Sequence, residues 1–215
     1  MVNISMLDNP ATGLRIALGY QSRVGKDTFA DRVKIMHGCV SLSFAEKLYA
    51  ITGHIQRELS FDVKKDPTLL QRQGTELRAY YGDDLFTRQV TKQIAKIIDD
   101  APETNIIVTD MRSPVEYNAL VALGFTTVSI FKPDRVIDRD PNHSTEIGLR
   151  DYSFDFTILN DGPMTQYIEQ IDATIAAIAY IRTKPTSTGA GSYASRDAGP
   201  GFAQPYAARG AGIGA

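Results

Sequence analysis

LRIALGYQSRVGKDTFADRV, residues 14–33, joins a short apolar run to a helix-like stretch through a turn bounded by glycines. Strand, turn and helix in that order gather several backbone N–H groups around one point. The helix N-terminus adds its partial positive charge there, so the stretch reads as a loop that wraps a phosphate. Gly25 lets the backbone approach closely, Lys26 reaches the β/γ-phosphates, and Asp27 and Thr28 offer oxygens to Mg2+. The pattern G-x-x-x-x-G-K-[ST] is met imperfectly. Tyr20 stands where the first glycine belongs, Gly19 comes one residue early, and Asp27 separates Lys26 from Thr28. Two backbones fit that spacing: a loop one residue longer, or Tyr20 in the first-glycine position. The competing reading is a surface turn with a solvated lysine, and the flanking strand and helix argue against it.

A chain of 215 residues suits one domain of ordinary size with a substantial core. Its 43% hydrophobic and 22% charged residues place it among soluble globular proteins rather than disordered or membrane chains. A net charge of −2 provides no global basic field, which argues against dedicated nucleic-acid binding while leaving a local basic groove open. The one cysteine, Cys39, rules out a disulfide within these residues and disfavours a cysteine zinc site; Val40 and Leu42 beside it suggest an apolar, buried role. No apolar run is long enough to span a membrane, and the N-terminus lacks a basic-then-apolar secretory pattern. The expected location is cytoplasmic, or the host cytoplasm if the chain is viral.

Outward from the loop, residues 1–11 read as an irregular lead-in, 13–19 as the first strand and 26–36 as the first helix. Cys39 to Ser43 reads as a short strand, and Leu48, Ile51, Ile55 and Leu59 fall at helical spacing. Asp66-Pro67 predicts a helix start that carries on to Gly82 despite Gly74. Asp83 and Asp84 open another helix. Asn105 to Thr109 is a run of the kind that fills a buried parallel strand, and Asp110 and Arg112 follow it. Pro114 begins a helix closed by Gly124, and Phe125 to Phe131 is a strand rich in β-branched residues. A charged loop over 132–142, a short helix over 144–150, a strand over 154–159 and a helix over 164–181 complete the order. Alternating strands and helices predict an α/β protein with a mainly parallel sheet covered by helices on both faces. The domain is drawn at 1–183. Residues 184–215, rich in Gly, Ala, Ser and Pro, read as a disordered tail or as a peptide that orders on a partner.

Phosphoryl transfer asks little covalent chemistry of a protein: a phosphate cradle, Mg2+ and cations that neutralise the moving group. Asp110 and Arg112, at a strand's carboxyl end, suit Mg2+ or substrate and a phosphate respectively; the plainer reading is a solvated salt bridge. Lys132, Arg135 and Arg139 share a mixed-charge loop that is either solvated surface or a lid that closes arginines over phosphates. His143 and Glu146 lie three apart in NHSTE. No third ligand is near for zinc, so they read as orienting a lid arginine or substrate, or as a helix cap. LLQRQGTELRAYYGDD, with Gln71 and Arg78, suits a nucleobase and its 5′-phosphate, or is merely a surface helix with a tyrosine face. His37 and His54 carry no assignment.

GKDT after a strand, then SFAEKL, LLQRQGTELR, TDMR, KP before a charged loop, NHSTE and FTILNDG form an ordered series. It resembles the bacteriophage-type deoxynucleoside monophosphate kinases, a branch of the phosphate-loop nucleotide kinases, over residues 13–180. The resemblance implies transfer of the ATP γ-phosphate to a dNMP with Mg2+, in nucleotide biosynthesis. By position it implies a donor loop of Gly25, Lys26, Asp27 and Thr28. Arg78 looks like an acceptor-phosphate contact, with Gln71 near it, and Asp110 with Arg112 resembles a strand-end pair. His143 and Glu146 fall on an H-x-S-E-like segment, with Thr145 where Ser is usual. Catalytic roles fall to Lys26, Arg112 and Arg139, with Arg135 on the donor side. Departures are the spacing back to Gly19, Lys47 where proline is common, and the tail. Homodimers through a helix face occur in this fold and stay open here, as does a tail partner. Rival readings are a kinase for another small acceptor such as dephospho-coenzyme A, a non-catalytic ATP-binding module, and an α/β protein whose turn binds nothing.

Overall fold

The computed structural model describes residues 13–137 and 140–183; the lead-in, Arg139 and the tail lie outside them. Five strands form one sheet: β1 (Arg15–Gly19), β2 (Val40–Leu42), β3 (Ile106–Met111), β4 (Thr126–Phe131) and β5 (Phe156–Leu159). Their spatial order is β2-β3-β1-β4-β5, and every pairing is parallel, so the expected mainly parallel sheet is wholly so. Helices are α1 (Lys26–His37), α2 (Glu46–Glu58), α3 (Pro67–Tyr81), α4 (Leu85–Asp100), α5 (Pro114–Ala122), α6 (Ser144–Ile147) and α7 (Met164–Thr183). No described helix is long and apolar enough to cross a membrane.

Side chains alternate across a strand, and here both sides are apolar. Ile16, Leu18, Ile107, Val128 and Ile130 face one way, onto Phe29 and Val33 of α1 and Ile171 and Ile175 of α7. Ala17, Ile106 and Val108 face the other way, with Leu70 of α3, Val90 and Ile94 of α4 and Leu120 of α5. The half-buried Cys39 packs against the first of these cores.

Local chemistry sets the helix starts. Asp66 accepts hydrogen bonds from the N–H groups of Thr68 and Leu69, with Pro67 in the first turn, as read from the sequence. Asp84 precedes α4 without a side-chain cap; its carboxylate pairs with Arg88 at 3.1 Å instead. At α5, Ser113 and Glu116 form a reciprocal capping box. Gly74 sits mid-helix because α2 passes close by. A Cβ there would lie 3.1 Å from Leu48 Cδ2.

Parallel strands put all their carboxyl ends at one edge of the sheet. The chain leaves β1 through α1 on one face toward β2, and later crosses from β3 to β4 through α5 on the opposite face. The sheet therefore reverses its winding at β1, and the loops after β1, β3 and β4 meet there, where α/β sheets bind ligands. β3 is longer than its apolar run suggests. Asp110 lies within the strand rather than past it, and Met111 pairs with Gly19. Arg112 is the first residue beyond the strand.

Ile107→Ala, in the central core, is expected to cost about 2–5 kcal/mol of unfolding free energy in urea. Ile35→Ala, at a side chain 77% exposed, is expected to cost no more than about 0.5 kcal/mol.

Candidate active site

The turn after β1 occupies residues 20–25, and Tyr20 takes the first-glycine position. Arg23 (φ +57°) and Gly25 (φ +105°) are the residues of positive φ in this turn; Tyr20 is not among them, so a side chain is tolerated there. Its ring stacks on Phe154, with centroids 6.1 Å apart. Phe154 in turn lies against Gly19, where a Cβ would meet the ring at 2.5 Å. Glycine before the turn serves this close approach.

Gly25 is the N-cap of α1 and brings no side-chain cap to the first-turn N–H groups. Uncapped donors at a helix N-terminus favour an anion. Lys26 is buried, and its ammonium folds back over the turn to donate to the Gln21 carbonyl. Burial lowers the Lys26 pKa to about 7, with the nearby Arg112 lowering it further and Asp110, Glu146 and Asp27 opposing. Asp27 is exposed and Thr28 half-buried in the same helical turn.

Glu146 of α6 is the hub opposite the turn, its side chain fully shielded from solvent. Its Oε1 accepts from Arg112 Nη1 at 2.8 Å, and its Oε2 from Arg135 Nη1 at 3.2 Å. The same Oε2 accepts from Ser22, from the backbone N–H at 3.3 Å and the hydroxyl at 3.1 Å. Arg135 also donates to Ser22 Oγ at 3.3 Å. One carboxylate thus joins the ends of β1 and β3 and the loop after β4.

Asp110 is engaged differently from the sequence expectation. Its carboxylate accepts from Ser43 Oγ at 2.7 Å and from the N–H groups of Phe44 and Ala45 at 2.8 and 2.9 Å. It fastens the entry to α2 while standing close enough to act on the Lys26 charge. Arg78 lies over the Phe86 ring, 3.8 Å from Glu116. Glu116, which the sequence did not single out, is buried and accepts from the N–H groups of Arg112 (2.7 Å) and Ser113 (3.0 Å). Burial, reinforced by Asp110, raises its pKa to about 7 against those hydrogen bonds and Arg78.

His143 is the N-cap of α6: its Nδ1 accepts from the Thr145 N–H at 3.2 Å, and its Nε2 lies 3.1 Å from Thr75 Oγ1. Burial holds its pKa below the ordinary histidine value. Gln71 donates to Thr145 Oγ1 at 3.4 Å. Gln71, Thr75 and Arg78 of α3 therefore face the α6 side of the site, and the structure brings together every predicted site residue that it describes. Elsewhere, a cavity of about 400 Å3 lined by Arg15, Ile98, Asp99, Leu123 and Gly124 lies at the amino ends of the strands, away from this cluster.

An all-parallel α/β sheet thus carries at its switch point a turn with uncapped helix N–H groups, flanked by the partly buried Arg112 and Arg135. The family model of deoxynucleotide monophosphate kinase matches residues 67–171, from α3 into α7 and just under half of the chain. Over that region the chain is similar to the family. No curated protein matches the chain. The matched region carries Arg78, Asp110, Arg112, Arg135, His143 and Glu146; the turn at 20–25 lies before it.

Glu146→Ala leaves two largely buried guanidinium groups without their counter-charge. Urea denaturation is expected to show a loss of about 3 kcal/mol or more.

Proposed function

We propose that the chain is a deoxynucleoside monophosphate kinase that transfers the γ-phosphate of ATP to a dNMP, giving ADP and a dNDP. The observation that carries this reading is the convergence of Lys26, Arg112 and Arg135 on one anion-binding turn, with Glu146 touching both arginines and the turn itself.

The donor triphosphate lies in the turn, its β- and γ-oxygens meeting the first N–H groups of α1 and the Lys26 ammonium. The acceptor lies between α3, the end of β3 and α6, with Arg78 and Arg112 on its phosphate and Gln71 and His143 toward the nucleoside. A phosphate oxygen of the dNMP, already ionised at neutral pH, attacks the γ-phosphorus. The bond from the γ-phosphorus to the β–γ bridging oxygen breaks, and ADP departs. No strong general base is required. Lys26, Arg112 and Arg135 neutralise charge on the transferring group, and Arg139 has the same assignment from the sequence.

The residues present fit Mg2+, which commonly binds through one or two protein oxygens plus substrate phosphates. Asp27 and Thr28 supply hard oxygen donors in the first turn of α1. When bound, the ion supplies charge neutralisation across the β- and γ-phosphates. Asp110, occupied by the 43–45 segment, acts by positioning α2 beside the acceptor.

ADP formation should be measured from ATP and Mg2+ with each of dAMP, dCMP, dGMP, dTMP and a ribonucleotide. Turnover dependent on at least one dNMP is expected, and Lys26→Met is expected to lower it by at least about a hundredfold with the fold intact. ATP binding without turnover on any dNMP would favour another acceptor or a binding module instead.

Proton linkage gives an independent check. The Lys26 pKa of about 7 means the free protein carries this amine largely neutral above neutral pH. A polyphosphate favours the charged form, so binding takes up a proton and affinity falls as pH rises through and above 7. Calorimetry at about pH 8.5 in buffers of different ionisation enthalpy is expected to show net proton uptake on ATP binding. Lys26→Arg, always charged, is expected to abolish it.

A further inference from the structure

We infer that Asn160 and Tyr167 are positioning residues that set the direction of the backbone N–H groups of the nucleotide-binding turn. The inference rests on the kinase reading above and assigns the donor side of the site a mechanical support.

Asn160 follows β5 and Tyr167 lies in the first turns of α7. Both are buried, at 7% and 1% exposure. Asn160 Nδ2 donates to the Val24 carbonyl at 2.9 Å, and Tyr167 Oη donates to the Gly25 carbonyl at 2.9 Å. Neither anchor is loose: the Asn160 N–H continues the sheet by donating to Phe131 O at 2.8 Å. The Tyr167 ring belongs to the core with Phe29 and Ile171.

A trans peptide is planar, and its C=O and N–H point in opposite directions. None of the described peptide bonds is cis. With the Val24 carbonyl drawn toward Asn160, the Gly25 N–H must point the other way. The Gly25 carbonyl accepts from the Phe29 N–H at 3.2 Å and from Tyr167, which together hold it, so the Lys26 N–H points the opposite way. Two successive donors are thus aimed away from the β5–α7 side, at the point where an anion sits before the α1 N-terminus. The Tyr167 hydroxyl is kept as a donor, since burial raises its pKa.

Gly25 is fitted to this clamp. A Cβ there would lie 2.9 Å from Asn160 Nδ2 and 3.0 Å from Tyr167 Oη, so the space a side chain would fill is already taken. The glycine answers to φ and to the clamp together.

The test measures the Mg-ATP dissociation constant of the full chain by calorimetry, together with KM for ATP and for the dNMP, in wild type, Tyr167→Phe and Asn160→Asp. Tyr167→Phe keeps the ring and removes only the hydroxyl, so it remains readable if Asn160→Asp fails to fold. Tyr167→Phe is expected to weaken ATP binding roughly tenfold, the size of one lost buried hydrogen bond. KM for ATP should rise in step, while KM for the dNMP stays within about twofold of wild type. Unchanged ATP affinity in a folded Tyr167→Phe would overturn the inference, as would donor and acceptor constants rising together. A wild-type chain that binds no ATP would instead overturn the kinase reading and carry this inference down with it. Wild-type binding with indifferent variants sinks the inference alone.

Discussion

The buried carboxylate of Glu146 is the interaction on which the rest of the site depends. Three positive groups crowd the carboxyl edge of the sheet: Lys26, Arg112 and Arg135. Without a counter-charge they would repel one another in a poorly solvated place. Glu146 divides its two oxygens, one to Arg112 and one to Arg135 and Ser22. It therefore fixes, in one step, where the loops after β1, β3 and β4 stand relative to one another. Its donors are also the kinds of group that bind a phosphate: a loop N–H, a hydroxyl and two guanidinium groups.

The site is built in layers behind that cluster. Glu116 holds the N–H groups of Arg112 and Ser113, so the chain turns sharply from β3 into α5 and presents the Arg112 side chain to Glu146. Asp110 holds the 43–45 segment and so the start of α2. His143 and Thr145 touch Thr75 and Gln71 and so relate α6 to α3. Each supporting carboxylate or imidazole is satisfied mainly by backbone donors or short polar side chains, which fix direction as well as distance.

Much of the fold was legible because its signals are local. Asp66-Pro67 marks a helix start within three residues, Gly82 an end, and the apolar 106–108 run a strand buried on both faces. Gly25, Lys26 and Glu146 were also legible, since each belongs to a short motif. What escaped depends on partners far along the chain. Asp110 reads as lying past a strand because the apolar run stops before it; only the pairing of Met111 with Gly19 extends the ladder that far. Glu116 looks like an ordinary capping glutamate until the fold buries it beside Arg78. Ser22 and Tyr167 carry no role readable from a motif, Asn160 enters only as one letter of FTILNDG, and their bonds join positions more than a hundred residues apart. Tyr20 departs from the glycine pattern without harm because its backbone stays at negative φ, and its ring packs on Phe154.

The strand order has a consequence for how the chain is made. β1 is central, yet its neighbours are β3 and β4, so Arg15 waits for Ile106 and Ile16 for Thr126. At ribosomal elongation rates that interval is on the order of ten seconds. During it the central strand of the sheet has no ladder to join, and closing so long a loop costs entropy before any contact repays it. β1 and the turn after it therefore wait for partners made roughly a hundred residues later, with Asn160 and Tyr167 arriving after β3 and β4. Nascent chains released before β5 would carry the turn at 20–25 without the two groups that hold its carbonyls, so the turn reaches its final form only once residues 160–167 have been made.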